Sequence, residues 1–164
     1  MRGDGEEALR QLARLDALAG ASGEAEALAV DRYPLRVLVL ATAGQHAAAL
    51  AHAEAMQDHL VALPTTGRVR VQRACALALR SAGSLARACD VSDQAVASAD
   101  DGACVSLEHG LALAESACCR LATGDSERAV NRWRTALATW QRGQVDSAEV
   151  LPLFPEFLPL LVAA

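Results

Sequence analysis

Helical runs rich in alanine and leucine alternate along the chain with short polar interruptions. In residues 120–140, RLATGDSERAVNRWRTALATW, the pair Gly124 and Asp125 separates two such runs. Alanine, leucine, arginine and glutamate favour helices, whereas Gly followed by Asp is typical of a turn. The pattern therefore predicts two helices joined by a tight turn.

The same arrangement recurs with a spacing near 40 residues. Gly44, Gly83 and Gly124 lie 39 and 41 residues apart, and each is flanked by helical runs. Mostly small or slender residues stand seven positions before each glycine and five and twelve positions after it: Val37, Ala76 and Ala117, then Ala49, Ala88 and Ala129, then Met56, Ala95 and Ala136. Self-similarity at a fixed period is typical of a helical repeat array.

The repeat divides a single domain, residues 1–164, into successive parts. The weakest unit has its turn at Gly20, with Ala13 and Ala25 at its small positions. The predicted parts are this weak unit at 5–33, stronger units at 34–62, 68–100 and 103–142, and a carboxyl-terminal cap or tail at 146–164.

Each unit requires its two helices to cross closely. Glycine tolerates the positive φ that ends the first helix, and Ser84 and Asp125 offer side-chain oxygens that can cap the second. Small residues let the helix backbones approach, and the large ring of Trp133 fills the volume that they leave between units.

On these residues the chain resembles the tetratricopeptide repeat (TPR), and more closely its longer-spaced variant from bacterial regulatory proteins. The third unit carries the resemblance in its Gly124-Asp125 turn, its two small positions and Trp133, whereas the second has Ser92 where the family prefers an aromatic residue. The resemblance implies an all-α fold: a right-handed stack of antiparallel helix hairpins whose first helices line a concave groove, closed by a C-terminal capping helix.

The segment 150–164, VLPLFPEFLPLLVAA, is almost entirely apolar. It is shorter than the roughly 20 residues that span a bilayer, and its three prolines would break such a helix. We expect it to fold back onto the last repeat; the alternative is an interface with a second copy or another partner. The candidate contact residues are Leu153, Phe154, Phe157, Leu158 and Leu161.

Composition narrows the function classes. Hydrophobic residues make up 52% of the chain but aromatic residues only 3%, which suits closely packed helices. All 15 basic residues are arginine, as in proteins from GC-rich bacteria, and the net charge of -5 argues against a direct nucleic-acid binder. A polar amino end without a secretory leader and an odd number of cysteines predict a cytoplasmic protein with free, buried thiols.

Candidate chemistry is weak. His52 and His59 are seven residues apart, whereas metal-binding histidines on a helix favour separations of three or four. The adjacent Cys118 and Cys119 point about 100° apart on a helix and cannot readily share a metal. A Cys104–His109 pair and a small helical enzyme using His109 or His52 remain minor alternatives; we predict no enzyme, metal or cofactor.

Arginines form the most informative charged pattern. Arg70, Arg73 and Arg80 follow one face of the first helix in the second unit, with Leu77 beside them. The resemblance places these positions in the groove, where Arg10 and Arg14 map similarly in the weak first unit. Guanidinium groups suit a partner's carboxylates or phosphates, although a solvated helix face is the alternative.

The sequence favours binding over catalysis. We expect a scaffold or regulatory module that binds a protein or peptide, with an acidic partner indicated by the arginines. The alternative is an effector-sensing or oligomerisation domain of a bacterial transcriptional regulator. We find no helix-turn-helix in these residues, so DNA contact would require a part outside them.

Overall fold

A computed structural model describes residues 7–14, 17, 25–57, 60–101 and 104–157 of the chain. Within these ranges the regular structure is helical and contains no β-strand, which confirms the predicted all-α class. The helices are α1 (7–14), α2 (Ala25–Thr42), α3 (His46–Gln57), α4 (Thr65–Ser81), α5 (Leu85–Asp100), α6 (Ser106–Ala122), α7 (Ser126–Arg142) and α8 (Ser147–Val150). Single 3-10 turns cover Leu60–Ala62, Leu151–Leu153 and Pro155–Phe157.

The three predicted turn glycines end helices α2, α4 and α6. Gly44, Gly83 and Gly124 adopt φ angles of 78°, 79° and 84°, in the left-handed region that favours glycine. At the middle turn the N–H of Gly83 donates to the carbonyl of Arg80 and that of Ser84 to Leu79, the paired bonds of a Schellman motif. Each turn therefore satisfies the last carbonyls of one helix and starts the next.

The caps of the following helices differ from one another. The Asp125 carboxylate accepts a 3.3 Å hydrogen bond from the N–H of Arg128, as its position before α7 predicts. Ser84 stands at the equivalent place before α5, but its side chain makes no capping bond. The prediction that Ser84 caps α5 is therefore wrong. A serine at this position can accept a hydrogen bond from the helix, but its hydroxyl need not do so.

Helices neighbouring in sequence also pack against one another. Contacts join α2 to α3, α4 to α5 and α6 to α7, and α4 and α6 each contact both helices of the preceding pair. Alanines occupy the close approaches and are fully buried: Ala49, Ala76, Ala88, Ala95, Ala117, Ala129 and Ala136. These are the small positions that the repeat spacing predicted.

Gly110 of α6 is a close approach that the repeat spacing does not mark. A Cβ atom at Gly110 would lie 2.1 Å from Nε1 of Trp140 on α7. The Trp140 indole N–H donates instead to the carbonyl of Leu107 at 3.3 Å. Glycine is thus required here by the volume of the tryptophan ring.

The amino-terminal part departs from the predicted division. Helix α2 is continuous from Ala25 to Thr42 and contains Pro34, so the boundary placed between residues 33 and 34 lies inside one helix. Pro34 removes one backbone donor without ending the helix here. Ala13 is exposed instead of packed, and Gly20 lies outside the described residues.

The tail covers the α6–α7 pair with short elements instead of a single capping helix. Pro152 and Pro155 lack backbone N–H groups, and only the four-residue α8 and two 3-10 turns form over 147–157. Phe154 and Phe157 are nonetheless buried in the same apolar cluster as Trp133 and Trp140. Among the described helices none is long and apolar enough to cross a membrane.

Candidate functional site

The predicted arginine row on α4 meets two glutamates on α6. Arg73 Nη1 donates to Glu108 Oε2 at 2.9 Å, and Arg80 Nε donates to Glu115 Oε1 at 3.0 Å. Both the arginines and the glutamates are seven residues apart, which places each pair on one face of its helix at the same separation. The two helices therefore pair in register through charged groups.

Arg70 and Glu156 extend these two ion pairs into a ladder of charged groups, formed by Arg70, Arg73 and Arg80 of α4 with Glu108, Glu115 and Glu156. Arg70 Nε donates to Glu108 Oε1 at 2.7 Å, so Glu108 accepts from two guanidinium groups. At the other end, Nη1 of Arg80 lies 3.4 Å from Oε1 of Glu156 in the tail. The sequence predicted a cationic surface, but the structure supplies three carboxylates for its three arginines.

The ion pairs of the ladder are largely buried, which increases the free-energy cost of breaking them. The side chains of Glu108 and Glu115 each expose only 7% of their surface. Burial lowers the pKa of Arg73. The negative charges of Glu108 and Glu115 act to raise that pKa but do not fully offset the burial. Burial alone would also lower the pKa of Arg80, but the charge of Glu115 and the hydrogen bond to it raise that pKa above its ordinary value. Removing one partner would thus leave a costly charge in a poorly solvated place.

A cavity of about 270 Å³ opens beside the Arg70 end of the ladder. Its α2 wall is apolar, and its opposite wall carries the charged groups of α4 and α6. Leu35 is 43% exposed in this wall although it is a large apolar side chain. The lining residues are Pro34, Leu35, Leu38, Arg70, Arg73, Ala74 and Glu108.

The other predicted groove residues are placed differently. Leu77 is half-buried and packs against the apolar core between α2, α3 and α4. Arg10 lies 2.8 Å from Glu7 on its own helix α1, and Arg14 is exposed on that helix. The structure therefore joins Arg70 and Arg73 to the cavity and places Arg80 further along the ladder.

The predicted tail contacts divide into buried and exposed positions. Phe154 and Phe157 are 5% and 0% exposed within this chain, whereas Leu153 is 62% exposed. Leu158 and Leu161 lie outside the described residues. The two phenylalanines thus serve the fold of their own chain, and Leu153 is the described leucine that remains accessible to a second copy.

The candidate catalytic pair is not assembled. His109 Nε2 lies 3.1 Å from Oδ1 of Asp100, and the described hydrogen bonds and ion pairs include none between His109 and Cys104. Burial, followed by the charge of Glu108, raises the pKa of Cys104 and so disfavours the reactive thiolate.

The remaining candidates for chemistry are the other thiols and the histidines considered as metal ligands. None of the five cysteines forms a disulfide: Cys75, Cys89, Cys118 and Cys119 are buried thiols, and Cys104 is a half-buried one. Burial and the charge of Glu115 raise the pKa of Cys118 above its ordinary value and that of Cys119 to about 12. No metal-binding group of three or more His, Cys, Asp or Glu side chains occurs in the described part of the chain; His59 lies outside it.

Sequence reasoning found the arginines but missed Glu108 and Glu115. The available signal was their seven-residue spacing, equal to that of Arg73 and Arg80.

No protein-family model matches the chain, and neither does any curated protein or solved structure.

Proposed function

We propose that the chain is a TPR-like repeat module without catalytic activity that binds a protein segment on the face of α2, α4 and α6. The hairpin stack is supported by the sequential contacts between helices and by the three positive-φ glycines near 40-residue spacing. In such a stack, the first helices of successive hairpins lie side by side, as the contacts of α4 with α2 and α6 indicate.

The cavity beside Arg70 is the observation that carries the binding proposal. It combines an apolar wall at Leu35 and Leu38 with a guanidinium group whose side chain is 38% exposed. A peptide that inserts one apolar side chain and presents a nearby carboxylate would match both walls. Because Glu108 already neutralises part of this charge, a single acidic group fits better than an acidic run.

The size of the cavity suits one peptide side chain or a compact ligand. Pockets for drug-sized molecules usually enclose roughly 300–1,000 Å³. A volume of about 270 Å³ lies just below that range. The effector-sensing alternative would require a compact ligand that fits the same two walls.

Selection from a display library of random peptides tests the proposal. The peptides enriched on the wild-type chain are synthesised, and their dissociation constants are measured. Leu35→Asp should weaken binding about tenfold or more by placing a charge in the apolar wall, and Arg70→Glu should do so by reversing the cation.

Two matched variants distinguish the cavity from general surface effects. Val61→Asp changes an apolar residue that is 92% exposed, and Arg134→Glu reverses an exposed charge on α7; neither residue lines the cavity. Both should leave the dissociation constant within about twofold. Failure to enrich any peptide, or equal binding to all four variants, would overturn the proposal.

A further inference from the structure

A second cavity, of about 430 Å³, opens against the polar face of α7. Residues 128, 131, 132 and 135 of α7 follow helical spacing on one face, and Arg120 at the end of α6 completes the lining. The lining residues are Arg120, Arg128, Asn131, Arg132 and Thr135. None is apolar, so the walls suit an ion or a strongly polar group.

Asp93 of α5 fixes two of these arginines. Nη2 of Arg120 donates to its Oδ2 atom, and Nη2 of Arg132 lies 3.7 Å from its Oδ1 atom. The hydroxyl of Ser116 also donates to Oδ1 of Asp93 at 2.9 Å, which orients the carboxylate. One anchored carboxylate thus holds two guanidinium groups together despite their mutual repulsion.

The anchoring leaves donor capacity at the cavity. Each guanidinium carries five N–H donors in a fixed plane, more than one carboxylate oxygen can accept. Arg128 adds a third cation that is 72% exposed, with Nη1 3.5 Å from Oδ2 of Asp125. Three arginines therefore stand against two aspartates, and the exposed amide of Asn131 adds an uncharged donor.

We infer that this cavity binds the phosphoryl group of a small molecule. A phosphoryl group offers three oxygens around one centre and up to two negative charges, which suits converging guanidinium groups better than a monoanionic carboxylate does. The cavity volume lies within the roughly 300–1,000 Å³ of small-molecule sites. The site shares no lining residue with the cavity beside Arg70, so it goes beyond the proposed peptide binding.

Isothermal titration at low ionic strength tests this inference with three probes: inorganic phosphate, pyrophosphate and ribose 5-phosphate. Saturable binding of at least one probe is expected, with acetate binding more weakly. Tighter binding of ribose 5-phosphate would identify an organic phosphate ester, and tighter binding of an inorganic probe would identify free phosphate or pyrophosphate. Raising the salt concentration should weaken binding because solvent ions screen the arginines.

Single substitutions assign the binding to the cavity. Arg128→Gln and Arg132→Gln should each raise the dissociation constant of the bound probe about tenfold by removing a charge-assisted donor. Arg134→Gln removes the same charge from an exposed position on the same helix outside the lining, and should change it less than about twofold.

Two results would overturn the inference. One is the absence of saturable binding of all three probes by the folded wild-type chain. The other is an equal loss of binding in Arg134→Gln and Arg128→Gln, which would indicate diffuse attraction to the surface. Because Arg128 is 72% exposed, Arg128→Gln should fold normally. Thermal melting of this variant checks that a loss of binding does not reflect unfolding.

Discussion

Phe157 stacks on Trp133, with ring centroids 4.5 Å apart and ring planes inclined by 10°. Phe154 approaches the same tryptophan edge-on at 5.7 Å. Because Phe157 is fully buried, the tail contributes directly to the apolar core of the α6–α7 pair.

Phe157→Ala should therefore destabilise the chain by about 3–5 kcal/mol, the usual cost of deleting a buried phenylalanine ring. Urea unfolding followed by tryptophan fluorescence measures this loss. Leu153→Ala is the matched control, since Leu153 is 62% exposed, and it should stay within about 0.5 kcal/mol of the wild type. Equal losses of stability in the two variants would contradict the packing of the tail onto the α6–α7 pair.

The end of α7 provides a stabilising change. Gln144 adopts φ 54°, and the N–H of the following Val145 donates to Trp140 as in a Schellman motif. Gln144→Gly should raise the free energy of unfolding by about 0.5–1 kcal/mol, because only glycine adopts this conformation without strain.

Gly83→Ala should lower the free energy of unfolding, the opposite of the effect expected for Gln144→Gly. A Cβ atom at Gly83 would meet no atom within 4 Å, so the loss of about 1–2 kcal/mol would come from its φ of 79° alone. Denaturant unfolding of both variants tests the two turns together. Stabilisation by Gly83→Ala would show that the turn does not require the left-handed conformation.

The ion pair at Glu108 should be worth far more than one on the surface. Glu108→Gln leaves Arg70 and Arg73 without their shared carboxylate and should cost about 3–5 kcal/mol. Glu54→Gln breaks an exposed pair with Arg87, whose side chains are 59% and 50% exposed, and should cost less than about 1 kcal/mol. Unfolding free energies that rank the two variants the other way would reject the buried ladder.

Sequence reasoning predicted the local features better than the long-range pairings. The conformation of Gly124 and the burial of Ala129 depend on a few neighbouring residues, so spacing alone identified them. The partner of Arg73 depends on how α4 packs against α6, and Glu108 lies 35 residues further along the chain. Predicting that pair requires the relative register of two helices as well as the face of one.

The amino-terminal boundary and the cavity on α7 show the same limit. The boundary predicted between residues 33 and 34 lies within α2, which continues through Pro34. Asp93 joins Arg120 and Arg132 only because α5, α6 and α7 pack together. A repeat pattern therefore indicates which helices form before it indicates which charged groups meet.

The buried thiols predict a pH response. Burial raises the pKa of the Cys119 thiol to about 12, so the folded chain keeps its proton where the unfolded chain loses it. Stability should consequently fall as pH rises above about 8.5, the ordinary cysteine pKa, towards that value. Unfolding free energies of the wild type and Cys119→Ala across this range should converge if the thiol is responsible.

Thiol labelling with DTNB gives an independent measure. At about pH 8, half-buried Cys104 should react before Cys118 and Cys119, which should react only after denaturation. Rapid labelling of all five thiols in the native chain would contradict their burial.

Peptide binding on the α2–α4–α6 face can be observed directly by titrating the methyl-labelled leucine residues with a peptide enriched on the wild-type chain. Peptide binding in the cavity should give saturable NMR shift changes at Leu35 and Leu38, which line it, and none at exposed Leu153 in the tail. Shift changes at Leu153 with Leu35 and Leu38 unmoved would contradict it.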